Sequence, residues 1–375
     1  MNGEIETQIN LKPSEMLLHL GPQHPLQPGP FLLDLVLEGE TVKDATLEMG
    51  FIHKGIEKIL ENRTYLQCIP ITDRMCYLAS ISNNEVFCSG VESLMGIEPT
   101  ERAKYIRTIM LELTRIQSHL LGIGEYATDI GFLSMFLWMI REREPIISLL
   151  EMVTGARLNH SFVRFGGVAY DLPAGFKEKT LRTLNEIRKK VEKHDEIMSR
   201  DSVYLKRTKG VGVLSRKAAM ELGVAGPAMR GSGVDYDIRK VDPYLLYPDL
   251  DFKVITAPNG DVFDRVKVRL SEILESIYII EQCIDMIPGG PFKQGYNPYL
   301  IKPKPGEVYS RVEDPRGEMG MYIVSDGTFK PYRVKVRGPA FATMQALPPL
   351  LKGAYMADNA AIASSMDSCT SEVDR

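Results

Sequence analysis

The chain has 375 residues, of which 44% are apolar, and its 45 lysines and arginines stand against 49 aspartates and glutamates. A chain of this length and composition can bury a sizeable hydrophobic core, so we expect a folded globular protein. The formal charge is -4, and both signs are interspersed along the chain, so there is no extended basic surface for a phosphate backbone. Nucleic acid is therefore not an expected partner.

Two features of the sequence bear on its location. The most apolar stretch, Phe132 to Ile140, contains Ser134 and is about half as long as the ~18 apolar residues that a membrane-spanning helix requires. The first residues, from Met1 to Glu6, lack the positive and apolar regions of a secretory signal. We therefore expect the chain on the cytoplasmic side, where it would associate with a membrane only through partner proteins.

The cysteines do not form a pattern typical of disulfide-rich or zinc-binding proteins. There are five of them, and no two stand in a C-x-x-C arrangement: Cys68, Cys76, Cys88, Cys283 and Cys369. This distribution fits a reduced compartment without a disulfide framework.

The first predicted element is a β-hairpin. Residues 31–49 contain two β-rich apolar runs on either side of the polar turn Glu38-Gly39-Glu40. Residues 21–30, before the hairpin, include four prolines, which remove backbone donors and fix φ. We expect a stiff loop there, without helix or central strand.

The middle of the chain is predicted to be helical. After Pro99, apolar residues recur at helical spacings from Ile106 to Leu121, and further helices are expected at 132–154, 175–199 and 261–287. Residues 210–233 are too rich in glycine for the interior of an element, so they should interrupt the helical region.

Strands are expected again near the end of the chain. Residues 307–313, 319–325 and 332–336 have strand-like composition and are joined by turns at Asp314-Pro-Arg-Gly317 and Asp326-Gly327. Strands at both ends of the chain and helices between them predict an α+β fold.

Several polar residues admit both a structural and a functional interpretation. His24 in the proline-rich loop is either a surface histidine or an imidazole held at a fixed place. The segment from Thr72 to Ala79 is either a helix start, with Asp73 near the cap and Tyr77 partly in the core, or a reactive cluster. Cys76 cannot be called reactive without knowledge of its pKa and exposure.

The same two interpretations apply further along the chain. Asp129 precedes an apolar helix, where an acidic residue most often interacts with the helix dipole, and a buried proton-carrying carboxylate is the rarer alternative. A polar cluster at 157–164 is typical of a helix C-terminus with glycine caps: Arg157, Asn159, His160 and Arg164. Nucleotide-binding and zinc-protease motifs are absent from the sequence.

Ten strings, in order along nearly the whole chain, resemble the D-type subunit of respiratory complex I. They are GPQHP (21–25), GFIHKGIEK (50–58), NRTYLQ (62–67), DRMCYL (73–78), MLELTRIQSHLL (110–121), DIGFLSMFLWMIREREPI (129–146), GARLNHSFVRFGGVAYDLP (155–173), GVGVLS (210–215), PGGPF (288–292) and EVDR (372–375). This family is related to the large subunits of nickel–iron hydrogenases. The resemblance implies that the N- and C-terminal strands join in one antiparallel sheet beside the helical bundle, with regions at 1–60, 61–300 and 301–375.

The relationship to hydrogenases does not imply a metal centre in this chain. The hydrogenase metals are held by two C-x-x-C pairs, whose positions here match Cys76 with Ala79 and Cys369 with Glu372. Nickel and iron in such a site need four soft thiolate ligands, and half of them are missing. We therefore expect no metal on this chain, and the vacated pocket would be part of the cavity for a lipid-soluble electron carrier.

The resemblance also implies roles for individual residues. Tyr77 matches a tyrosine that hydrogen-bonds the carrier's head group, and Arg74 matches an arginine near the 4Fe-4S cluster of a small partner subunit. Asp129 matches an acidic residue linked to the loop histidine, His24, as a route for protons or a charge switch. A change of charge there would have to bias a two-state element in the membrane subunits.

Two departures from the family pattern bear on the carrier. Quinone-reducing members usually have a second histidine in the first loop, where this chain has Pro28, which can neither donate a hydrogen bond nor titrate. Many members have a histidine near the cluster where this chain has Asn159, and His160 follows one residue later. These departures favour, within the family, an archaeal F(420)H(2) dehydrogenase that reduces methanophenazine. The alternative is an NADH:quinone or ferredoxin:quinone oxidoreductase.

The resemblance further predicts an assembly. The expected partners are the small 4Fe-4S subunit (B-type), the C-type and I-type subunits, the H-type and A-type membrane subunits, and a flavoprotein that oxidises the electron donor. The carrier, methanophenazine or a quinone, would bind at the interface with the small 4Fe-4S subunit, and this chain alone would hold no cofactor. An active hydrogenase and a scaffold without chemistry are the competing functions.

Overall fold

A three-stranded antiparallel sheet lies near the start of the protein, whose computed structural model describes residues 11–24, 29–295 and 297–375. Its strands are β1 (Glu15–Leu20), β2 (Leu32–Glu38) and β3 (Thr41–Glu48), in the order β1-β2-β3. Leu33, Leu35 and Leu37 alternate into the core along β2. The predicted hairpin is confirmed, whereas β1 was not foreseen.

Four long helices form the centre of the molecule, and all four confirm the predicted helical stretches. They are α4 (Glu101–Asp129), α5 (Leu133–Thr154), α6 (Phe176–Arg200) and α11 (Val262–Met286). Helix α4 begins after Thr100, whose side chain accepts a hydrogen bond from the Ala103 N–H. It packs against α5 and α11, and α6 covers both of those helices. Among the described residues, no helix is long and apolar enough to cross a membrane.

Shorter elements connect the sheets and the long helices. Before α4 lie α1 (Ile56–Glu61), α2 (Tyr65–Thr72) and α3 (Ser80–Met95), and the two-residue strands β4 (Val163–Arg164) and β5 (Gly167–Val168) follow α5. The glycine-rich stretch and its neighbours contain α7 (Ser202–Thr208), α8 (Arg216–Glu221), α9 (Gly226–Arg230) and α10 (Ile238–Val241). The chain ends with α12 (Pro339–Met344), α13 (Leu347–Leu351), α14 (Asn359–Ser365) and α15 (Thr370–Asp374). Single turns of 3-10 helix occur at Tyr77–Ala79, Tyr247–Asp249, Pro298–Leu300 and Met356–Asp358.

The C-terminal strands form a second antiparallel sheet that packs on α3. Its strands are β6 (Gly306–Asp314), β7 (Gly317–Ser325) and β8 (Arg333–Arg337), in the order β6-β7-β8. They confirm the three strands predicted near the end of the chain. The α+β fold with antiparallel strands at both ends is confirmed, but the expectation that these strands join in one sheet is wrong.

The two sheets stay apart because α1 lies against β8. The Val336 N–H donates to Glu57 of α1 (3.1 Å), so a side chain of α1 meets β8 where a further strand would pair. The N-terminal sheet instead meets the segment after α13: Thr41 and Tyr355 form an isolated bridge, and the Val42 N–H donates to the Ala354 carbonyl (2.9 Å).

A buried ionic cluster fixes α4 to α3 and to the turn between β4 and β5. Arg107 donates to Glu92 of α3 (2.6 Å) and to the carbonyl of Arg164 (2.7 Å), and its side chain is fully buried. The same carboxylate accepts from the Gly166 N–H (2.6 Å). Removal of one member would leave the others buried without a partner, so the cluster defines the position of the 159–168 segment.

Candidate functional site

The segment that contains Arg74, Cys76 and Tyr77 lies between two helices. Helix α2 ends at Thr72, so the interpretation of this segment as a helix start is wrong. Asp73 instead follows the helix and is buried, where it accepts hydrogen bonds from Asn84 (2.6 Å) and from the Ser161 N–H (2.8 Å). Burial raises the pKa of this carboxyl to about 7.

A second segment, at residues 159–162, is clamped onto the start of α3. Ser161 is held by Asp73, and the Phe162 N–H donates to Asn84 (3.1 Å). Asn159 and Ser161 have left-handed backbone φ values of 53° and 42°, which residues other than glycine rarely adopt. Because strained backbone persists only where its surroundings hold it, these contacts define the path of the segment.

His160 is held in one orientation by this clamp. Its Nδ1 lies 2.7 Å from Ser80 Oγ, which also accepts from the His160 backbone N–H at 3.5 Å. Nδ1 and the serine hydroxyl therefore share one hydrogen bond, whose donor is set by the tautomer of the ring. Burial lowers the pKa of His160 to about 4, and Nε2 is buried without a hydrogen-bond partner among the described residues.

The polar residues around His160 lie in two places, at the capped C-terminus of α5 and at the turn that the ionic cluster fixes. Helix α5 ends at a left-handed glycine, Gly155, with φ 77°, and Arg157 pairs with Glu144 on the surface (2.7 Å). This part of the cluster agrees with the capped helix C-terminus expected from the sequence. Arg164 lies in β4, where its Nη1 donates to the carbonyl of Val163 (2.9 Å).

Arg74 is exposed beside the C-terminal segment. Its carbonyl accepts a hydrogen bond from Lys54 Nζ (2.8 Å), which also donates to Ser371 Oγ (2.5 Å). Burial lowers the pKa of Lys54, whereas the nearby thiols of Cys369 and Cys76 act in the opposite direction. Two cations therefore flank this end of the site, and sequence reasoning had noted only one of them.

Cys76 and Cys369, from opposite ends of the chain, are free thiols that pack in the same small apolar cluster. Cys76 is completely buried and Cys369 partly so. A hydrogen bond to Cys369 raises the pKa of Cys76 well above its ordinary value, and the same bond lowers the pKa of Cys369. Cys76 is therefore the donor, and any negative charge on the pair is favoured on Cys369.

Arg316 supplies the positive charge beside the thiols. Its Nη1 donates to Cys76 Sγ (3.5 Å) and to Ser118 (3.2 Å). Asp367 holds the same guanidinium through its carbonyl (2.9 Å) and its carboxylate (3.1 Å). The sequence did not reveal Arg316 and Asp367, because these two residues belong to no local motif that marks them.

The two other positions that match hydrogenase ligands carry no thiol. Ala79 is buried in the apolar cluster around Cys76. Glu372 is buried, its Oε1 accepts from the Ala340 N–H (2.8 Å), and burial raises the pKa of this carboxyl well above its usual range. Among residues 11–24, 29–295 and 297–375, no group of three or more His, Cys, Asp or Glu side chains is arranged to hold a metal ion.

Tyr77 lies directly after Cys76 on the accessible side of the thiol pair. It is 43% exposed, and no described residue forms a hydrogen bond with its hydroxyl. Partial burial raises the pKa of Tyr77, and the charge of Glu125 raises it further. The phenol can therefore bind an external group as a hydrogen-bond donor.

Glu125 and Asp129 lie one turn apart on α4, with Glu125 facing Tyr77. Burial raises the pKa of Glu125 to about 7, and its carboxyl has no hydrogen bond or ion pair with any described residue. Asp129 is the last residue of α4, so it does not stand at the entry of the next helix as the dipole interpretation required. Its side chain accepts from Ser364, and burial raises its pKa. The i, i+4 spacing of the two carboxyls was the available sign of Glu125.

The proline-rich loop is only partly described. His24 is partly buried in the segment that follows β1, and Pro28 lies outside the described residues. The side-chain contact that affects the pKa of Asp129 is with Ser364, not with His24. The expected link between Asp129 and His24 is therefore not among the contacts of Asp129 in the described part of the chain.

A cavity of about 580 Å³ lies on the other side of the clamped segment. Its lining includes Ser161, Arg164, Tyr170 and Lys293, but not Tyr77. The group around Tyr77 thus forms an open wall rather than part of this cavity, as expected if a partner completes the site.

Comparison with known proteins gives consistent relatives over the whole chain. The family model "Respiratory-chain NADH dehydrogenase, 49 Kd subunit" matches residues 129–375. The D subunit of the F(420)H(2) dehydrogenase of Methanosarcina mazei is 60% identical over 97% of this chain and 99% of its own length. The D subunit of the NADH-quinone oxidoreductase of Dehalococcoides mccartyi is 46% identical over 97% of this chain and 100% of its own length.

A solved structure has the same fold. A chain of the membrane-bound sulfane sulfur reductase, an archaeal respiratory membrane complex, superposes with a TM-score of 0.92 at 38% identity, over 96% of this chain and 99% of that one. Together with the family match and the full-length relatives, this shows that the chain belongs to the family of the 49-kDa subunit of respiratory-chain NADH dehydrogenase.

Proposed function

We propose that this chain is a subunit of a complex I-like membrane oxidoreductase and forms, with a cluster-bearing partner, the site where a lipid-soluble carrier is reduced. The names of its relatives support the coarse assignment, because they are subunits of F(420)H(2) dehydrogenase and of NADH-quinone oxidoreductase. The observation that carries the finer assignment is the hydroxyl of Tyr77, which no described residue hydrogen-bonds, beside the protonatable carboxyl of Glu125.

Reduction of the carrier's head group takes two electrons and two protons. As negative charge develops on the head group, Tyr77 donates a hydrogen bond to it and stabilises that charge. Glu125, with a pKa of about 7, is protonated in a large fraction of molecules at neutral pH and is suited to donate a proton. Asp129, one turn further along α4, continues the proton path towards Ser364.

The electrons enter from the side of Arg74 and His160, where the 4Fe-4S cluster of the small partner subunit would lie. The residues present fit such a neighbour, because Nε2 of His160 has no hydrogen-bond partner among the described residues and, when it carries the ring proton, can donate to a cluster sulfur. Arg74 is exposed on the same stretch and would favour the reduced, more negative cluster. The cluster supplies single electrons, and this chain positions the acceptor.

For the carrier, we propose methanophenazine, with reduced coenzyme F(420) as the electron donor of the complex. The high identity to a subunit of F(420)H(2) dehydrogenase and the proline at position 28 support this choice. The alternative is a quinone, with NADH or ferredoxin as donor, and the relationship to NADH-quinone oxidoreductases supports it.

The proposed assembly rests on the family resemblance. We propose as partners the small 4Fe-4S subunit, the C-type and I-type subunits, the H-type and A-type membrane subunits, and a donor-oxidising flavoprotein. The chain would lie peripherally on the cytoplasmic side of the cell membrane and be held there through these subunits. We propose His24 and Pro28 as residues of the carrier pocket, of which Pro28 lies outside the described residues.

Substitution Tyr77→Phe in the intact membrane complex tests the catalytic role. We expect carrier reduction to fall by about tenfold to a hundredfold, because one donor to the developing charge is removed. Electron transfer from reduced coenzyme F(420) to ferricyanide, which bypasses the site, should stay normal. Tyr332→Phe, at a tyrosine 67% exposed before β8, is the matched control. Normal carrier reduction by the Tyr77→Phe complex would refute the assignment.

The carrier is identified by a pairwise comparison on the wild-type complex. Reduced coenzyme F(420) and NADH are each offered with a water-soluble phenazine and with a short-chain quinone. We expect the fastest turnover with the deazaflavin and the phenazine. Turnover with NADH and the quinone alone would establish the alternative.

A further inference from the structure

Arg143, on α5, is a partly buried cation that a hydrogen-bond chain connects to the turn containing Tyr77. Its Nη2 donates to Gln117 Oε1 (3.0 Å). The same amide donates from Nε2 to the Leu78 carbonyl (2.8 Å), and Leu78 directly follows Tyr77 in the chain. One completely buried glutamine therefore holds the guanidinium next to the backbone of this turn.

The register of α4 and α5 places Arg143 on the same wall as the carboxyl of Glu125. Gln117, Leu121 and Glu125 follow one another at intervals of four residues on α4, so they lie on one face of that helix. Ile140, one turn before Arg143 on α5, packs against the small apolar cluster that contains Leu121. Arg143 therefore meets α4 one turn before Leu121, and Glu125 lies one turn after it.

The guanidinium of Arg143 has no anionic partner in the described part of the chain. Its hydrogen bond to Gln117 is the only one it forms with a described residue, and its Nε is buried without a partner. By contrast, Arg141 on the same helix pairs with Glu142 (2.5 Å). A cation that is partly removed from water without an anion is costly, so its place indicates that negative charge reaches it from outside the chain.

The other charged groups near the wall do not neutralise Arg143. Burial lowers the pKa of its guanidinium, whereas Tyr77 and Glu125 act in the opposite direction, in agreement with their position on this wall. Glu125, with a pKa of about 7, is ionised in only part of the molecules at neutral pH. Arg316, behind the thiols, is already paired with Asp367 (3.1 Å). Arg143 thus keeps its positive charge available at the edge of the wall.

We propose that Arg143 binds the carrier's head group and stabilises the negative charge that develops on it during reduction, while Gln117 positions the guanidinium. This inference rests on the proposed function and adds a binding residue to the site of Tyr77 and Glu125. The head group is uncharged at rest, so the interaction strengthens when electrons arrive. The electrons come from the partner's cluster and the proton from Glu125, and Arg143 gives up neither.

Substitution Arg143→Met in the intact membrane complex is the kinetic test. Because the interaction forms mainly with the charged state, kcat of carrier reduction should fall by about tenfold to a hundredfold while KM changes little. Arg143→Lys keeps the charge and should retain part of the rate. Arg141→Met, two residues earlier and paired with Glu142, is the matched control and should behave as the wild type.

Two probes that differ in charge supply a readout that a purely structural role would not change. Phenazine-1-carboxylate is an anion at neutral pH, and phenazine-1-carboxamide is an uncharged molecule of nearly the same shape. Equilibrium dialysis against the purified complex measures the binding of each without turnover. The wild type should bind the carboxylate about tenfold more tightly, and Arg143→Met should remove this preference without weakening the binding of the carboxamide.

The wild-type measurement decides the question even if the variant fails to assemble. Equal binding of the two probes by the wild-type complex would overturn the inference. An unchanged preference in the Arg143→Met complex, or an equal loss of both probes, would overturn it as well. Normal carrier reduction by the Tyr77→Phe complex refutes the proposed function instead, so the two proposals fail on different measurements.

Discussion

Substitution Glu125→Gln removes the one carboxyl near Tyr77 that has no hydrogen-bond partner among the described residues. Its pKa of about 7, raised by burial, means that about nine-tenths of the carboxyls are protonated at pH 6 and about one-tenth at pH 8. If protonated Glu125 is the proton donor, the rate of carrier reduction should fall by about tenfold between these two pH values. The amide has no proton to donate, so the variant should be slower by about a hundredfold and should lack this pH dependence.

The assay is carrier reduction by the membrane complex between pH 5.5 and 8.5, with ferricyanide reduction as a measure of the upstream steps. Glu101→Gln, at the exposed first turn of the same helix, is the matched control and should keep the wild-type profile. A Glu125→Gln complex with the wild-type rate and pH profile would refute the assignment of Glu125 as donor.

The same pKa shift has a consequence for stability. An unfolded glutamate ionises near pH 4.5, so between this pH and about 7 the folded chain keeps a proton that the unfolded chain has lost. The folded state is therefore favoured below the lower value, and this advantage is lost as the pH rises through about 7. The difference of about 2.5 in pKa corresponds to about 3 kcal/mol, which Glu125→Gln should recover at alkaline pH.

Three further substitutions or measurements test other parts of the site. Asp129→Asn should lower carrier reduction by about tenfold or more and reduce proton uptake per electron, because a proton-carrying group is lost; normal values of both would make Asp129 structural. Arg107→Met should destabilise the subunit by about 3 to 5 kcal/mol, because the carboxylate of Glu92 stays buried without its partner. Thermal inactivation measures this effect, and the exposed Arg182→Met is the control that should not change it. His160 should remain neutral above pH 5, because burial lowers its pKa to about 4. The midpoint potential of the neighbouring cluster, measured by an electron paramagnetic resonance titration, should therefore be constant from pH 6 to 8. A slope near 59 mV per pH unit would contradict this.

The local elements were predictable because their signals are local. The hairpin of β2 and β3 follows from the apolar runs on either side of the turn at Gly39, and the long helices follow from their apolar spacing. The separation of the two sheets was not predictable in this way. It depends on Glu57 of α1 reaching β8, a contact between residues 279 positions apart.

The individual site residues were predicted through family resemblance, and their surroundings came only from the structure. Arg316 reaches Cys76 across 240 positions, and Asp129 reaches Ser364 across 235. No periodicity or spacing rule connects such pairs. Glu125 was overlooked for a different reason: its i, i+4 spacing to Asp129 is common on helices, and its burial and lack of a partner among the described residues are seen only in the structure.

The charge balance of the vacated metal pocket accounts for the kind of ligand that it favours. Of the four positions that match hydrogenase ligands, Ala79 carries no charge, Glu372 is kept neutral by burial, and Cys76 is kept protonated by its hydrogen bond to Cys369. Of the four, only Cys369 has its pKa lowered, and the guanidinium of Arg316 beside the thiols is also paired with the carboxylate of Asp367. A divalent cation needs an excess of negative ligands, which this pocket lacks. A near-neutral wall with one phenol donor and one protonatable carboxyl is instead suited to an uncharged head group that gains electrons and protons together.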